Sequence, residues 1–262
     1  MSSRLSAEIK RLYQLPGDEA PLSGASLPLV GDDGRVRALV MALRGPAEWP
    51  VLGAVWRGVQ SDLDLPAPAI AVNGVDAFEL WFSLVEPVPL TQATHFLQAL
   101  RARYLPDVRP QRVRLRPDAG GDASAHCVAA IPQPQGDAGH WSAFVAPDLA
   151  AVFGDEPLLD LPPGLDAQAD LLCRLRSIQP GEWAAAVANL QSSAASVEAG
   201  CAPSSQPPRV PAPNQTPEAA FQDPGQFLRH VMNDASVAMA LRIEAAKALL
   251  QDPAGNRGAG AP

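Results

Sequence analysis

An alternating row of arginines is the stretch of this sequence whose residue types and spacing are best suited to chemistry. Three arginines occupy every second position of this stretch: Arg112, Arg114 and Arg116. Apolar Val113 and Leu115 lie between them, which predicts a strand over 111–116 with the charges on one face. Two strand residues span about 6.5 to 7 Å, which roughly matches successive phosphates of a nucleic-acid strand. We therefore predict nucleic-acid contact here, with Arg101 and Arg103 as further candidates.

Two other interpretations of the arginine row stay open. Charged side chains on an edge strand protect a sheet from pairing with other chains. The arginines can also pair within the protein, with acids such as Asp107 and Asp118. Each interpretation gives the row a structural role and no ligand.

Carboxylates and histidines do not form a catalytic or metal-binding pattern. The close acidic pairs fall in predicted turns or helix ends, where aspartate is favoured: Asp32-Asp33, Asp62 with Asp64, and Asp155-Glu156. His126 and Cys127 are neighbours on a predicted strand and would point to opposite faces, and no further ligands have structural-zinc spacing. Phosphate-loop, dinucleotide-binding and nucleophile-elbow motifs are absent from the sequence. We predict no catalytic residue, no metal and no cofactor.

The elements that would position the arginines follow the order strand, helix, strand, strand, helix, strand. Hydrophobic periodicity places them at 36–43, 46–63, 69–72, 78–85, 92–104 and 111–116. Asn73-Gly74 supplies the reversal between the two middle strands. This order is the split βαβ, or ferredoxin-like, arrangement also used by RNA-recognition modules. The predicted fold class is α+β, an antiparallel sheet with two helices on one face; Trp81 and Phe82 point to opposite faces of it.

The remaining segments are predicted to extend this core. The predicted division is an N-terminal helix and loop at 1–35, the core at 36–117, a mixed then helical extension at 118–190, a linker at 191–217, a helical segment at 218–251 and a disordered tail at 252–262. Within the extension we expect short strands at 126–131 and 140–145 and helices at 165–178 and 180–190. The linker is rich in Ser, Ala and Pro, cannot bury enough apolar surface, and is predicted to be disordered.

The C-terminal segment is predicted to be a helical hairpin on this tether. Its apolar side chains recur at helical spacing, and four of them are candidates for contact with a protein partner: Phe227, Val231, Leu241 and Leu249.

Bulk composition limits the class of protein. The chain has 262 residues, 47% of them hydrophobic, and a formal net charge of −8. That size and hydrophobic fraction support a core, while the acidic balance argues against nucleic-acid binding by the molecule as a whole but permits a local basic patch. The odd set of three cysteines has no metal-type spacing and predicts a reducing, cytoplasmic setting. We expect no secretory signal and no membrane span.

The predicted core resembles archaeo-eukaryotic-type primase domains of plasmids, phages and integrative elements. The resemblance rests on Pro68–Gly74 (PAIAVNG), Phe78–Leu84 (FELWFSL) and Glu86–Val88 (EPV) within residues 36–117. In such domains a Ser/Asn-Gly turn precedes a strand of the type His-x-Trp/Tyr, followed by Pro-Val. The family places catalytic acids on the first strand, whereas 36–43 contains none, and Glu79 stands near the family's histidine. The resemblance implies a primase-like scaffold without the chemistry.

The C-terminal segment resembles a helical part of phage small terminase subunits. The resemblance covers Asp223–Asp234 (DPGQFLRHVMND) and Leu241–Leu250 (LRIEAAKALL). It implies a docking unit for self-association or for an element-encoded protein. Together the two resemblances lead us to expect a non-enzymatic protein of a bacterial mobile genetic element, an integrative element or prophage, acting in DNA maintenance, transfer or regulation. A divergent primase or nucleotidyltransferase and a purely protein-binding regulator stay open as alternatives.

Overall fold

The structure is a computed structural model that describes residues 3–17, 26–45, 48–118, 120, 123–136, 139–154 and 156–201. The chain divides into two units, 1–203 and 204–262, and all described residues belong to the first. Its helices are α1 (Ser3–Tyr13), α2 (Trp49–Ser61), α3 (Leu90–Tyr104), α4 (Leu165–Cys173) and α5 (Pro180–Cys201). In these ranges, no helix combines the length and apolar character that crossing a membrane requires.

Nine strands form one main sheet and two small ribbons among the described residues. They are β1 (Ser26–Pro28), β2 (Arg35–Arg44), β3 (Ala69–Val72), β4 (Ala77–Pro89), β5 (Val113–Arg116), β6 (Cys127–Ala129), β7 (Pro134–Gln135), β8 (His140–Trp141) and β9 (Ala143–Val145). The main sheet has the order β5-β2-β4-β3-β9, and every neighbouring pair is antiparallel. The ribbons are β1 with β6 and β7 with β8.

The first four strands of this sheet confirm the predicted ferredoxin-like fold. Strands β2, β3, β4 and β5 are joined by α2, a short turn and α3, and they lie in the spatial order fourth, first, third, second. This is the order expected when two βαβ units interlock in one antiparallel sheet. The fold class is therefore α+β, with β9 added as a fifth strand beside β3.

Alternation along the strands gives the sheet two apolar faces, and each is covered by a different layer. Leu39, Phe78 and Phe82 face the layer of α2, α3 and α5, where Trp183 of α5 also packs. Val40 and Trp81 face the opposite layer, built from α1, α4 and the β1–β6 ribbon. Trp81 and Phe82 thus lie on opposite faces as predicted, and both are buried. The second layer covers only part of its face.

The helical extension differs from its predicted bounds at both ends. Helix α4 ends at Cys173 and not at 178, because Ile178 instead pairs with β4, its amide donating to the carbonyl of Ser83 at 2.8 Å. Helix α5 continues past Leu190 to Cys201, so the prediction of a disordered linker is wrong for 191–201. Residues 202–217, the predicted hairpin at 218–251 and the tail at 252–262 lie outside the described residues.

The other predicted strands are shorter than expected. The predicted strand at 111–116 is a 3₁₀ turn over Pro110–Arg112 followed by β5, so Arg112 precedes the strand. The strand predicted at 140–145 is divided at Ser142 into β8 and β9. In both places the alternation of apolar and polar residues in the sequence extends beyond the residues whose backbones pair in a sheet.

The turn between β3 and β4 is built by Asn73 and Gly74. The Asn73 Oδ1 accepts hydrogen bonds from the amides of Val75, Asp76 and Ala77, each at 2.9 Å. Gly74 has φ +76°, and a Cβ there would lie 2.7 Å from the carbonyl carbon of Trp141. The turn therefore needs a residue that both adopts positive φ and lets the β7–β8 ribbon approach.

Replacing Gly74 with alanine is expected to lower the free energy of unfolding by about 2 kcal/mol, because strain at positive φ adds to a backbone clash. Gly136→Ala is the matched control, since Gly136 has φ +60° and no atom within 4 Å of an added Cβ. We expect that control to cost about 1 kcal/mol. Urea denaturation followed by circular dichroism measures both. Equal losses for the two variants would contradict the role of the close approach.

Gln168 of α4 closes the outer edge of the main sheet. Its Oε1 accepts from the amide of Phe144 at 2.6 Å, and its Nε2 donates to the carbonyl of the same residue at 3.0 Å. Phe144 lies in β9, whose other edge pairs with β3. The primary amide of Gln168, which is 5% exposed, therefore takes the place that one peptide unit of a sixth strand would occupy.

Candidate nucleic-acid interface

A cleft of about 240 Å³ opens on the face of the sheet that the second layer leaves partly uncovered. We call it the arginine cleft. Its lining consists of Val40, Ala42, Arg44, Asn73, Val75, Asp76, Ala77, Glu79, Arg114, Arg116, Val128, Ala129 and Gln135. Its floor is the sheet itself, and β6 and β7 form the opposite wall. Small floor residues, Ala42 and Ala77, leave the space that the polar side chains surround.

Strand register brings the charged residues together from distant parts of the chain. Ala42 of β2 lies opposite Arg114 on one side and opposite Glu79 on the other. Arg114 and Glu79 are therefore two strand spacings apart, about 10 Å between Cα atoms. Arg116 lies one pleat further along the same face of β5, opposite Val40. The cleft collects three guanidinium groups and two carboxylates, a formal charge of +1 in a chain of −8.

Arg44 and Asp76 form a fixed ion pair at the rim. The Nε and Nη2 of Arg44 both donate to Asp76 Oδ2, at 2.9 and 2.7 Å. Asn73 Nδ2 donates to the other carboxylate oxygen at 3.2 Å. Burial by itself raises the pKa of Asp76, but the hydrogen bonds from Arg44 and Asn73 outweigh it and hold this pKa below its ordinary value. The opposite charges of Arg44 and Asp76 thus balance each other at the rim.

Arg114 and Arg116 differ in how firmly they are held. Arg116 is partly buried, and its Nη1 donates to the backbone carbonyl of Cys127 in β6. The side chain of Arg114 is exposed and makes neither a hydrogen bond nor a salt bridge to other described residues, and its charge helps to lower the pKa of Asp76. The first guanidinium is therefore oriented before any ligand arrives. The second can turn toward one.

Glu79 lies on the floor between these groups, partly buried. Its Oε2 accepts a hydrogen bond of 2.8 Å from the indole Nε1 of Trp81, two residues along the same face of β4. Burial raises the pKa of Glu79, and the hydrogen bond from Trp81 and the charge of Arg116 oppose that rise only in part. Trp81 itself is 2% exposed, so its ring cannot stack on a base. It serves instead to hold the carboxylate.

The structure separates the five arginines predicted to contact nucleic acid. Arg114 and Arg116 line the cleft, whereas Arg112 turns back and donates from Nε to the carbonyl of Arg44 at 3.2 Å. Arg101 and Arg103 belong to α3, on the other face of the sheet. There Arg103 donates to Asn189 Oδ1 at 2.9 Å and pairs with Asp62 at 3.5 Å. A single surface including all five is therefore not formed.

Five polar residues of the cleft were not among the predicted site residues: Arg44, Asn73, Asp76, Glu79 and Gln135. A signal for Glu79 does exist in the sequence, because it is the lone carboxylate inside the apolar run 77–82 and shares a strand face with Trp81. The predicted partner residues Phe227, Val231, Leu241 and Leu249 lie outside the described residues. In the part of the chain that is described, no three His, Cys, Asp or Glu side chains are grouped so that they could hold a metal ion.

Comparison with known proteins finds a weak similarity to a solved structure. No protein-family model and no curated protein matches the sequence. A solved structure of the AEP domain of the cyanophage S-2L primase-polymerase aligns with 53% of this chain and 61% of that chain, at 13% identity and a TM-score of 0.29. The chain thus spans about three fifths of the length of that domain. The function proposed below stands on the cleft and not on this similarity.

Proposed function

We propose that the arginine cleft binds the phosphate backbone of a single nucleic-acid strand, and that the protein acts by binding and not by catalysis. The observation that carries the proposal is the convergence of Arg44, Arg114 and Arg116 on one cleft in an acidic chain. Guanidinium groups in a walled depression focus the local field on anions, even when the net charge is negative. A cleft of about 240 Å³ between the sheet and the wall of β6 and β7 leaves room for part of a single strand.

The arrangement of donors supports phosphate as the ligand group. Arg116 is held by the carbonyl of Cys127, and the exposed side chain of Arg114 extends beside it from the edge strand β5. Successive phosphates could contact these two residues in turn, since i and i+2 on a strand are about 6.5 to 7 Å apart. The interpretation of the arginines as edge protection applies to Arg114 but explains neither the cleft nor the orientation of Arg116.

The donor set favours binding over nucleotidyl transfer. Metal-dependent phosphoryl chemistry needs carboxylates that are available to ions holding the phosphates. Both carboxylates of the cleft are engaged, Asp76 by Arg44 and Glu79 by Trp81, and β2 contributes Val40, Ala42 and Arg44 to the lining. A divergent primase or nucleotidyltransferase is the second candidate, because Asp76 and Glu79 do face one cleft. Primer synthesis on a single-stranded template with Mg²⁺ or Mn²⁺ would establish it.

The biological setting is part of the proposal. We propose a role in the maintenance, transfer or regulation of DNA of a bacterial mobile genetic element, supported by the sequence resemblances within 36–117 and 223–250. Integrase or conjugation genes beside the gene for this protein would support that setting. A purely protein-binding regulator would bind no nucleic acid, and the next experiment separates the two.

Binding is tested by fluorescence anisotropy of a labelled oligothymidine at a series of salt concentrations. Each phosphate contact contributes about 0.7 to the slope of log affinity against log salt for single strands. We expect Arg114→Ser to flatten the slope by about 0.7 and Arg114→Ser with Arg116→Ser by about 1.4. Arg57→Ser, an exposed arginine of α2 on the other side of the sheet, is the matched control and should leave the slope unchanged.

Two results would overturn the proposed function. One is the absence of binding by the wild-type chain at low salt. The other is an equal effect of Arg114→Ser and Arg57→Ser, which would show that charge anywhere on the surface is sufficient. Thermal unfolding of each variant checks that the loss of the Arg116 contact with β6 has not unfolded the wall of the cleft.

A further inference from the structure

Glu79 is a carboxylate placed where a ligand phosphate would otherwise meet the arginines. It lies in the cross-strand row between Ala42 of β2 and Ala71 of β3. Because neither methyl side chain covers it, the carboxylate shares the cleft with the guanidinium groups of β5. A negative group inside an anion-binding cleft weakens binding unless it is neutralised.

The surroundings of Glu79 contain charges of both signs. The charged groups that the cleft presents to it are Arg114 and Arg116 from β5, Arg44 from β2 and Asp76 from the turn after β3. The wall of β6 and β7 adds the uncharged side chains Val128, Ala129 and Gln135. The Arg116 charge favours the ionised form of Glu79, whereas burial and the Asp76 charge favour the protonated form and raise its pKa.

We propose that Glu79 is an internal counter-anion of the arginine cleft and that nucleic-acid binding is coupled to its protonation. The inference rests on the proposed function. An ionised Glu79 offsets part of the positive charge of Arg116 and repels a ligand phosphate. When Glu79 takes up a proton, the formal charge of the cleft rises from +1 to +2, and the repulsion between Glu79 and a ligand phosphate is removed.

The direction of the pH effect follows from linkage. A bound phosphate draws on Arg116 and adds a negative charge near Glu79, so the pKa of Glu79 is higher in the complex than in the free protein. Binding therefore takes up protons at pH values between these two pKa values. Affinity increases as pH falls through that window and becomes independent of Glu79 once the carboxyl group is protonated in both states.

A purely structural role for Glu79 is the competing explanation. The buried indole of Trp81 needs an acceptor, and Glu79 Oε2 supplies it at 2.8 Å. Glutamine at this position keeps an oxygen acceptor and nearly the same shape but has no titratable proton. Glu79→Gln therefore separates the charge of the side chain from its hydrogen bond.

The test compares full-length wild type and Glu79→Gln in binding labelled oligothymidine between about pH 4 and about pH 8.5, a range that begins below the ordinary pKa of a glutamate. At the highest pH we expect Glu79→Gln to bind the oligothymidine about tenfold more tightly than wild type does, because one negative charge near the phosphate has been removed. The ratio of the two affinities should fall toward one as pH decreases. All four histidines are present in both proteins, so their titration cancels from that ratio. Glu86→Gln, an exposed position of the same strand outside the cleft, is the control.

A second measurement keeps the proposal testable if Glu79→Gln does not fold. Calorimetric titration of wild type with oligothymidine, in buffers of different ionisation enthalpy, reports protons taken up on binding. The coupling is supported if binding takes up protons at higher pH and if this uptake disappears at pH values where Glu79 is already protonated in the free protein. An affinity ratio near one at every pH, or no proton uptake at any pH, overturns the proposed coupling. If binding still depends on the arginines in that case, the proposed function is unaffected. Absence of binding by wild type and Glu79→Gln alike overturns both.

Discussion

Replacement of Trp81 by alanine is expected to lower the free energy of unfolding by about 4 kcal/mol. The ring is 2% exposed and contacts two other aromatic rings. Its centroid is 5.2 Å from that of Tyr13 in α1 and 5.8 Å from that of Phe144 in β9. The substitution therefore opens a cavity at the junction of the sheet, its fifth strand and the second layer.

Trp81→Phe is the matched variant for this prediction. It retains an aromatic ring between Tyr13 and Phe144 but removes the donor to Glu79, so we expect a loss of about 1 to 2 kcal/mol. Guanidinium denaturation followed by circular dichroism measures both variants. If alanine and phenylalanine cost the same, the hydrogen bond and not the packing would be the principal contribution.

Replacement of Arg37 by methionine is expected to cost about 3 kcal/mol. The guanidinium donates to three backbone carbonyls, those of Leu84 at 3.1 Å, Gln14 at 2.7 Å and Arg11 at 2.6 Å. The last two belong to the C-terminal end of α1 and the residues that follow it, where carbonyl groups lack helical partners and favour a cation. Methionine keeps the apolar length of the side chain and leaves these carbonyls without that donor.

Arg35→Met is the control for Arg37, because Arg35 is exposed on the same strand and donates from its side chain to Pro87 alone, at 3.0 Å. We expect it to change the free energy of unfolding by less than about 1 kcal/mol. Thermal or urea unfolding of the two variants gives the comparison. Equal stability of Arg37→Met and wild type would mean that water replaces the guanidinium at the end of α1 without cost.

The hydrophobic periodicity of the sequence predicted the sheet and its helices well, because apolar residues recur at strand or helix spacing in each of these elements. The strand at 69–72 has the predicted ends, and α2, α3, β2 and β4 lie within a few residues of the expected ranges. Apolar spacing was misleading where an apolar residue packs outside a helix, as Ile178 does by pairing with β4. The Ala-rich start of the predicted linker has good helix propensity, and α5 continues through it.

The cleft could be predicted only in part, because it depends on register between distant strands. Sequence alternation placed Arg114 and Arg116 on one face of a strand, and the structure has them there. It could not show that Glu79 lies two strands away, nor that Arg37 lies at the register shift between Val36 and Ala38, where β2 is redirected. Arg112 was assigned to the row because alternation does not reveal that Pro110 starts a 3₁₀ turn.

The side-chain amide of Gln168 has a consequence for how these molecules behave at high concentration. A terminal strand with free peptide groups is a template on which another copy can add, and repetition of that step leads to fibrous aggregates. At β9 the peptide groups of Phe144 are already engaged by Gln168. At the opposite border, β5 carries the exposed Arg114, so the β5 edges of two copies would repel each other. The sheet is thus protected at both ends against growth from copy to copy, by a mimic of the peptide group at one and by like charge at the other.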